Sequence, residues 1–321
     1  MAEPGEGSEE ATEATGAGGR HEPVMVAEVV EFLGSARTVV DMTVGAGGHA
    51  EALLDAGVGR VVGVDRDAAA LEVASERLAR FGDRFAPVAG AFSEAAAATV
   101  SEGEADGVLF DLGMSSMQLD HAERGFGYRV DGPLDMRMDP SSDGPSAADL
   151  VNNLPEQELA DLIFRFGEEH QSRRVARAIC RARERGRIET TGELAGIVAG
   201  ALGRRPGRAH PARRTFQALR IAVNREIEEL TTSLPWAASV LAPGGRVVVL
   251  AYHSLEDREV KRFFRDTPEL RPLTKRPLVP SEAEVERNPR SRGAKLRAAE
   301  RVDPEPSSPH FPAGSATRSE P

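Results

Sequence analysis

The chain has 321 residues, a formal net charge of −11 and one cysteine, Cys180, which excludes a disulfide framework and a multi-cysteine zinc site. No apolar run approaches the ~20 residues that cross a bilayer, and the N-terminus lacks the basic and apolar regions of a signal peptide. With 40% hydrophobic and 28% charged residues, the composition is that of a soluble globular protein, expected in the cytoplasm.

Residues 1–20 hold five Glu and one Arg with no apolar periodicity, which predicts a disordered acidic tail. The folded part is expected to begin near His21. Arg37–Val40, Arg60–Val64 and Gly107–Phe110 read as short strands, ending respectively at Asp41, Asp65 and Asp111. A helix is predicted over 67–81, with Leu71, Ala74, Leu78 and Phe81 at helical spacing. A further strand, Arg246–Tyr252, follows the predicted turn Pro243-Gly244-Gly245. Strands alternating with helices indicate βαβ units and a parallel sheet buried on both faces, whose carboxyl edge binds ligands.

The interval from Asp111 to Gly245 is far too long for one crossover. It carries amphipathic patterns at Leu159, Leu162, Ile163 and Phe166, and at Leu194, Ile197, Val198 and Ala201. Thr190 and Glu193 form a capping box before the second, and Gly203 a stop after it. A third helix is expected to run from Phe216 through Leu219, Val223 and Ile227 to Leu230. The chain therefore divides into an α/β core of 21–122 and 226–302, and an inserted helical domain of 123–225. Residues 303–321, rich in Pro and Ser, predict a second disordered tail. Residues 171–225 contain 14 Arg and 3 Glu. That concentration, which includes Arg173, Arg174, Arg204, Arg205, Arg208, Arg213 and Arg214, reads as a phosphate-binding surface, and otherwise as solvated helix faces.

The loop after the first strand runs Asp41-Met42-Thr43-Val44-Gly45-Ala46-Gly47-Gly48-His49-Ala50. Gly45-x-Gly47-x-x-Ala50, with Asp65 20 residues beyond Gly45, satisfies the dinucleotide fingerprint and keeps open an NAD-dependent oxidoreductase with a helical substrate domain. Asp41 weighs against it. A carboxylate at the end of the first strand suits the cationic amino group of S-adenosylmethionine and repels a pyrophosphate. A third reading is a non-catalytic RNA-binding assembly factor that keeps the fold.

The blocks Asp41–His49, Gly63–Asp67, Phe110–Asp120, Glu123–Phe126, Asp131–Asp139, Thr215–Arg220 and His253–Arg258 closely resemble the MraW/RsmH family. The resemblance runs from His21 to Val302. It implies a class I, Rossmann-like S-adenosylmethionine-dependent methyltransferase with a mostly parallel seven-stranded sheet and an inserted helical domain. It also implies methylation of N4 of a cytidine in the decoding region of 16S rRNA, with the small ribosomal subunit as partner. Implied cofactor contacts are Gly47, Gly48, His49, Asp65, Phe92, Asp111 and Gln118, beside Asp41 and Gly45 from the loop. Met42 departs from a Gly usual in the family, and Val44 from a Leu or Phe; Met42 fits if its φ stays negative.

Methyl transfer to an amino nitrogen needs a proton acceptor late in the reaction. Asp111, Ser115 (or its neighbour Ser116) and His253 are candidates, His253 also reading as a structural residue. A flipped-out base would stack on aromatics. Phe126 and Tyr128 are the preferred pair, with plugging of the domain junction as the alternative. Arg137, beside Asp135 and Asp139, reads as ordering the start of the insert or touching substrate. No metal-ligand cluster is evident, no membrane partner is expected, and a homodimer is left open.

Overall fold

The computed structural model describes residues 23–95, 99–114, 118, 121–203 and 210–302. The tails expected at 1–20 and 303–321 lie outside these, as do Ser115, Ser116, Arg204, Arg205 and Arg208.

Seven strands form one sheet: β1 (Thr38–Asp41), β2 (Arg60–Asp65), β3 (Phe85–Ala89), β4 (Ala105–Asp111), β5 (Leu241–Ala251), β6 (Leu270–Pro272) and β7 (Lys295–Arg301). Their order is β3-β2-β1-β4-β5-β7-β6. The first five are parallel, and β7 runs antiparallel to both β5 and β6. This is the class I methyltransferase sheet. Alternate residues feed two cores. Val40, Val62, Val108 and Phe110 face one side with α10 (Glu226–Val240) and α11 (Ser254–Asp266). Val39, Val61, Leu109 and Val248 face the other with α1 (Val26–Leu33), α2 (Gly48–Asp55) and α3 (Ala68–Leu78). Apolar residues at successive positions are what a strand buried on both faces requires. Strand order reverses between β1 and β4, so their carboxyl ends open a crevice, with the end of β2 beside it.

Two expectations need correction. Pro243-Gly244-Gly245 is not a turn ahead of the last parallel strand. It lies inside β5, at a register shift between Ala105↔Leu241 and Gly107↔Arg246, where Gly244 has φ 79°. The third insert helix is two helices, α9 (Arg213–Val223) and α10, broken at Asn224-Arg225. Arg225 adopts φ 51°, and Asn224 turns its amide onto the carbonyls of Arg220 and Met136. An unbroken apolar spacing hides such a break, because both helices bury their own faces.

Helices α5 (Ala147–Asn153), α6 (Glu156–Gly167), α7 (Ser172–Arg183), α8 (Thr191–Leu202) and α9 pack around a separate core that includes Leu159, Ile163, Val175, Ile179, Leu194, Val198 and Phe216. The Thr190–Glu193 capping box is formed, and Gly203 ends α8 with φ 77°. Among the described residues, no helix is long and apolar enough to cross a membrane.

Candidate cofactor and substrate site

A cavity of about 280 Å³ opens at the carboxyl ends of β1, β2 and β4. The β1–α2 loop forms one wall. Gly45 lines it with φ +51°, and a Cβ there would meet only the Thr43 carbonyl, at 3.8 Å, so a ligand can lie against bare backbone. Asp65, at the end of β2, is braced by two amides: Gly45 N–H donates to Oδ2 and Asp67 N–H to Oδ1, each at 2.9 Å. Burial raises the Asp65 carboxyl above its ordinary range, and these amides oppose the rise. Phe92, in the short helix α4 (Phe92–Ala95), lines the cavity and meets Phe110 edge-on at 5.7 Å. Gln118 also lines it, with Nε2 3.5 Å from Asp67.

Asp111 closes the other end. Its Oδ1 accepts a hydrogen bond from the Tyr252 hydroxyl at 2.7 Å, and its Oδ2 lies 3.5 Å from His49 Nδ1. The Asp111 amide donates to Thr43 Oγ1 at 2.6 Å, and His49 Nε2 is 2.9 Å from the Val24 carbonyl. Burial, then the adjacent Asp111 charge, pushes the Tyr252 phenol well above its ordinary range, so it stays a donor. The cavity thus offers a carboxylate at each end, an aromatic face and a side-chain-free backbone wall. Carboxylate acceptors suit a ribose diol and a cationic amino acid, and the aromatic face suits a purine.

Several expected residues sit elsewhere. Asp41 does not line the cavity. It is 1% exposed and accepts from the Thr43 amide and hydroxyl at 3.1 and 3.3 Å, and at this end of the cavity the lining carboxylate is Asp111. Gly47 is a packing position: it starts α2 at φ 79°, and a Cβ would lie 3.2 Å from Leu78. Gly48 and His49 do line the cavity, where a Cβ on Gly48 would press on Pro23 at 2.9 Å. Met42 stays out of the left-handed region and lines the same cavity.

His253 faces a second cavity of about 660 Å³ between the insert and the core. Its Nε2 lies 2.9 Å from Glu256 Oε1. Burial alone would raise the Glu256 carboxyl, but His253 and Arg220 bring it below the ordinary range. Arg213, Arg214, Lys295, Glu168 and Glu169 share this groove, and Tyr252 borders both cavities. Phe126 is 4% exposed inside the insert core, so it offers no face to a base. Tyr128 is also engaged, stacked on His210 at 4.8 Å and edge-on to Phe216. Arg137 grips Asp135 through two bonds and the Ser142 carbonyl through a third, which orders the loop and takes up three of its five side-chain donors. Arg173 and Arg174 are exposed on α7; Arg214 lies 3.7 Å from Glu169.

Sequence reasoning counted Tyr252 among the aromatics near motifs but gave it no contact with Asp111 or the cofactor cavity, and it missed the pair Arg220–Glu226, which lines that cavity. Glu226, His253 and Glu256 bring ligand-type atoms within 4.8 Å of one another. Arg220 donates to both Glu226 oxygens at 2.8 Å, so a guanidinium already fills the place of a cation.

Residues 18–302 match the MraW methylase family. The ribosomal RNA small subunit methyltransferase H of Methylobacterium sp. (strain 4-46) is 52% identical over 318 residues, covering 90% of this chain and 94% of that protein. The proteins of the same name from Sorangium cellulosum and Geobacter sulfurreducens are each 50% identical. They cover 89% and 88% of this chain, and 92% and 99% of their own lengths. The dinucleotide alternative falls with these matches. The chain belongs to the MraW methylase family, and its cofactor is S-adenosylmethionine.

Proposed function

We propose that this chain transfers a methyl group from S-adenosylmethionine to N4 of a cytidine in 16S rRNA of the small ribosomal subunit. The reading is supported by relatives about half identical over about nine-tenths of the chain and named ribosomal RNA small subunit methyltransferase H. The observation that carries it into geometry is Tyr252, which borders both the cofactor cavity and the Arg-bearing groove, so a base entering from the groove arrives beside the methyl donor.

The cofactor supplies an electrophilic methyl on a sulfonium. Asp65 accepts from the ribose hydroxyls, Phe92 presents its face to the adenine, and Asp111 with His49 takes the amino acid end. Gly45 and Gly48 keep the loop backbone close. Holding donor and acceptor in line is worth up to ~7–11 kcal/mol in well-oriented systems, and this fixed frame serves that end. The cytosine amino group sheds a proton as its C–N bond forms. His253 lies on the groove side for that proton, and Asp111 lies on the cofactor side. The insert of 123–225 carries the RNA, with Arg173, Arg174, Arg213 and Arg214 meeting phosphates.

The test is nucleoside mass spectrometry of small-subunit rRNA from cells with and without the gene, followed by reaction of the purified protein with small subunits. N4-methylcytidine should vanish on deletion and return with added protein and cofactor. An unchanged nucleoside would overturn the assignment. Salt-sensitive RNA binding without methyl incorporation would favour the assembly-factor reading.

A further inference from the structure

Three consecutive residues at the end of β2 join the cofactor cavity to both ends of the insert. Asp65 lines the cofactor cavity. Arg66 lines it too and donates to the Asn224 carbonyl at 3.1 Å, where the chain leaves the insert. Asp67 accepts from Arg124 at 2.9 Å, where the chain enters it. The two crossings are also stitched to each other. Met138 N–H donates to Asn224 Oδ1 at 2.7 Å, Asn224 Nδ2 donates to the Met136 carbonyl at 2.8 Å, and Arg124 donates to the Met138 carbonyl at 2.8 Å. Asp67 is 3% exposed and Asn224 6%, so water cannot replace these partners and leaving one unmade carries its full desolvation cost. Asp67 Oδ1 meanwhile caps α3 through the Ala69 amide, which fixes the carboxylate that Arg124 grips.

We propose that Arg66, Asp67 and Arg124 are positioning residues that seat the insert on the same strand tip that holds the cofactor, so that cofactor and RNA bind with positive coupling. The Asp67 amide braces the Asp65 carboxylate directly. A ligand hydroxyl on Asp65 therefore engages a group already tied to the neighbour of Arg66. Ordering that tip removes motion that seating the insert would otherwise have to remove, and linkage makes the effect reciprocal. Only the RNA arm of this inference rests on the function proposed above.

The test uses the full chain, S-adenosylhomocysteine as the cofactor probe and a 16S rRNA transcript as the RNA probe. Without RNA, hydrogen exchange in the wild type should slow on ligand binding around the cavity and also at 131–139 and 213–224. With RNA, the ligand should tighten RNA binding by about fivefold or more, the lower end of ordinary allosteric coupling. In Arg124→Ala, ligand affinity should stay within about threefold of wild type, since Arg124 lies outside the cavity. The exchange slowing should then stop at the cavity, and the RNA affinity ratio should fall to about one. If Arg124→Ala does not fold, Asp67→Asn keeps the cap on α3 while discharging the Arg124 contact. Asp67 also accepts from the cavity residue Gln118, so this variant is judged, at saturating ligand, by the exchange pattern and the RNA affinity ratio alone, both expected as for Arg124→Ala. Unchanged exchange at 131–139 and 213–224 in the wild type would overturn the inference, as would a wild-type RNA ratio in both variants. A wild type that binds no RNA in either state refutes the functional reading instead, and the exchange result still decides the coupling.

Discussion

Asp41 sets a pH dependence that can be worked from the structure. Burial pushes its carboxyl from an ordinary 3.8 up to about 6, with His49 and the Thr43 amide opposing the rise and the Asp111 charge adding to it. The folded chain therefore holds a proton that the unfolded chain has released between these values. The contribution of this one group to stability is most favourable below pH 3.8, falls as pH rises toward 6, and stays lowered above it, by roughly 3 kcal/mol for a displacement of this size. Asp41→Asn removes the titration. Its carbonyl still accepts from Thr43, and its new amide group costs about 1–2 kcal/mol if unpaired. The variant should then be less stable than wild type by about 1–2 kcal/mol near pH 4 and more stable by a similar margin near pH 7.5. Urea denaturation of the cofactor-free protein across that range measures the difference. A difference that stays flat with pH would refute the reasoning. A cation in the adjoining cavity favours the ionised carboxyl, so S-adenosylmethionine affinity should also rise through the same window, with proton release visible by calorimetry in two buffers.

Asp65→Ala should weaken S-adenosylhomocysteine binding by about 10- to 100-fold, since charge-assisted bonds are worth about 1.5–3 kcal/mol; calorimetry showing unchanged affinity would remove Asp65 from the site. Tyr252→Phe deprives Asp111 of its 2.7 Å donor. It should lower kcat on small subunits about tenfold with the fold intact, and unchanged kcat and KM would mark that bond as idle. Phe126→Ala should cost about 3–5 kcal/mol of stability in the insert; lost RNA affinity at unchanged stability would return Phe126 to the base-stacking role. Replacing Arg173, Arg174, Arg213 and Arg214 together by Ala should weaken RNA binding and cut its salt slope by about 3 at most, leaving S-adenosylhomocysteine affinity alone. If both affinities fell, the insert would be supporting the core.

The four strands read from the chain are the ones whose β-branched runs are buried on both faces. The three that escaped have physical reasons to be silent. Phe85–Ala89 carries Pro87 and is only half-buried. Leu270–Pro272 has three residues, two of them exposed. Lys295–Arg301 begins and ends in charges and uses Ala where a parallel strand uses Val. At the site, Gly45, Gly48, His49, Asp65, Phe92, Asp111 and Gln118 were legible and do line one cavity. Asp41 and Gly47 were legible as motif members but not as to what they face. In β1 the side chains alternate, and Asp41 is followed by a loop that turns Met42 to Gly45 inward instead. Phe126 is a different case: it is spent on the insert core, while Tyr128, part-buried, is engaged with His210 and Phe216.

The same reserve applies to charge. The insert's 14 Arg in 171–225 suggest a wide phosphate surface, yet many are already answered. Arg177 faces Glu156, Arg187 faces Asp149, Arg220 faces Glu226 and Arg225 faces Glu228, while Arg183 caps the carbonyls of Val151 and Leu154. Among the described residues, Arg173, Arg174, Arg181, Arg185 and Arg213 form no ion pair, Arg174 meeting only the neutral Gln171. A guanidinium already bound to a carboxylate neutralises no phosphate and so displaces none of the cations condensed on the RNA, and residue counts therefore overstate the salt dependence of binding. The groove itself is mixed in the same way. Glu168 takes the Ser254 hydroxyl and Arg258, and Glu169 lies near Arg214. Among the described residues, the one that lines both this groove and the carboxylate-walled cofactor cavity is Tyr252, a neutral phenol that donates its proton to Asp111, and beside it His253 on the groove side meets Glu256 on the cavity side. An unpaired charge at the shared wall would repel either the sulfonium on one side or the phosphates on the other. A neutral phenol and a carboxylate answered by its imidazole neighbour let a polyanion and a cationic cofactor approach one another there.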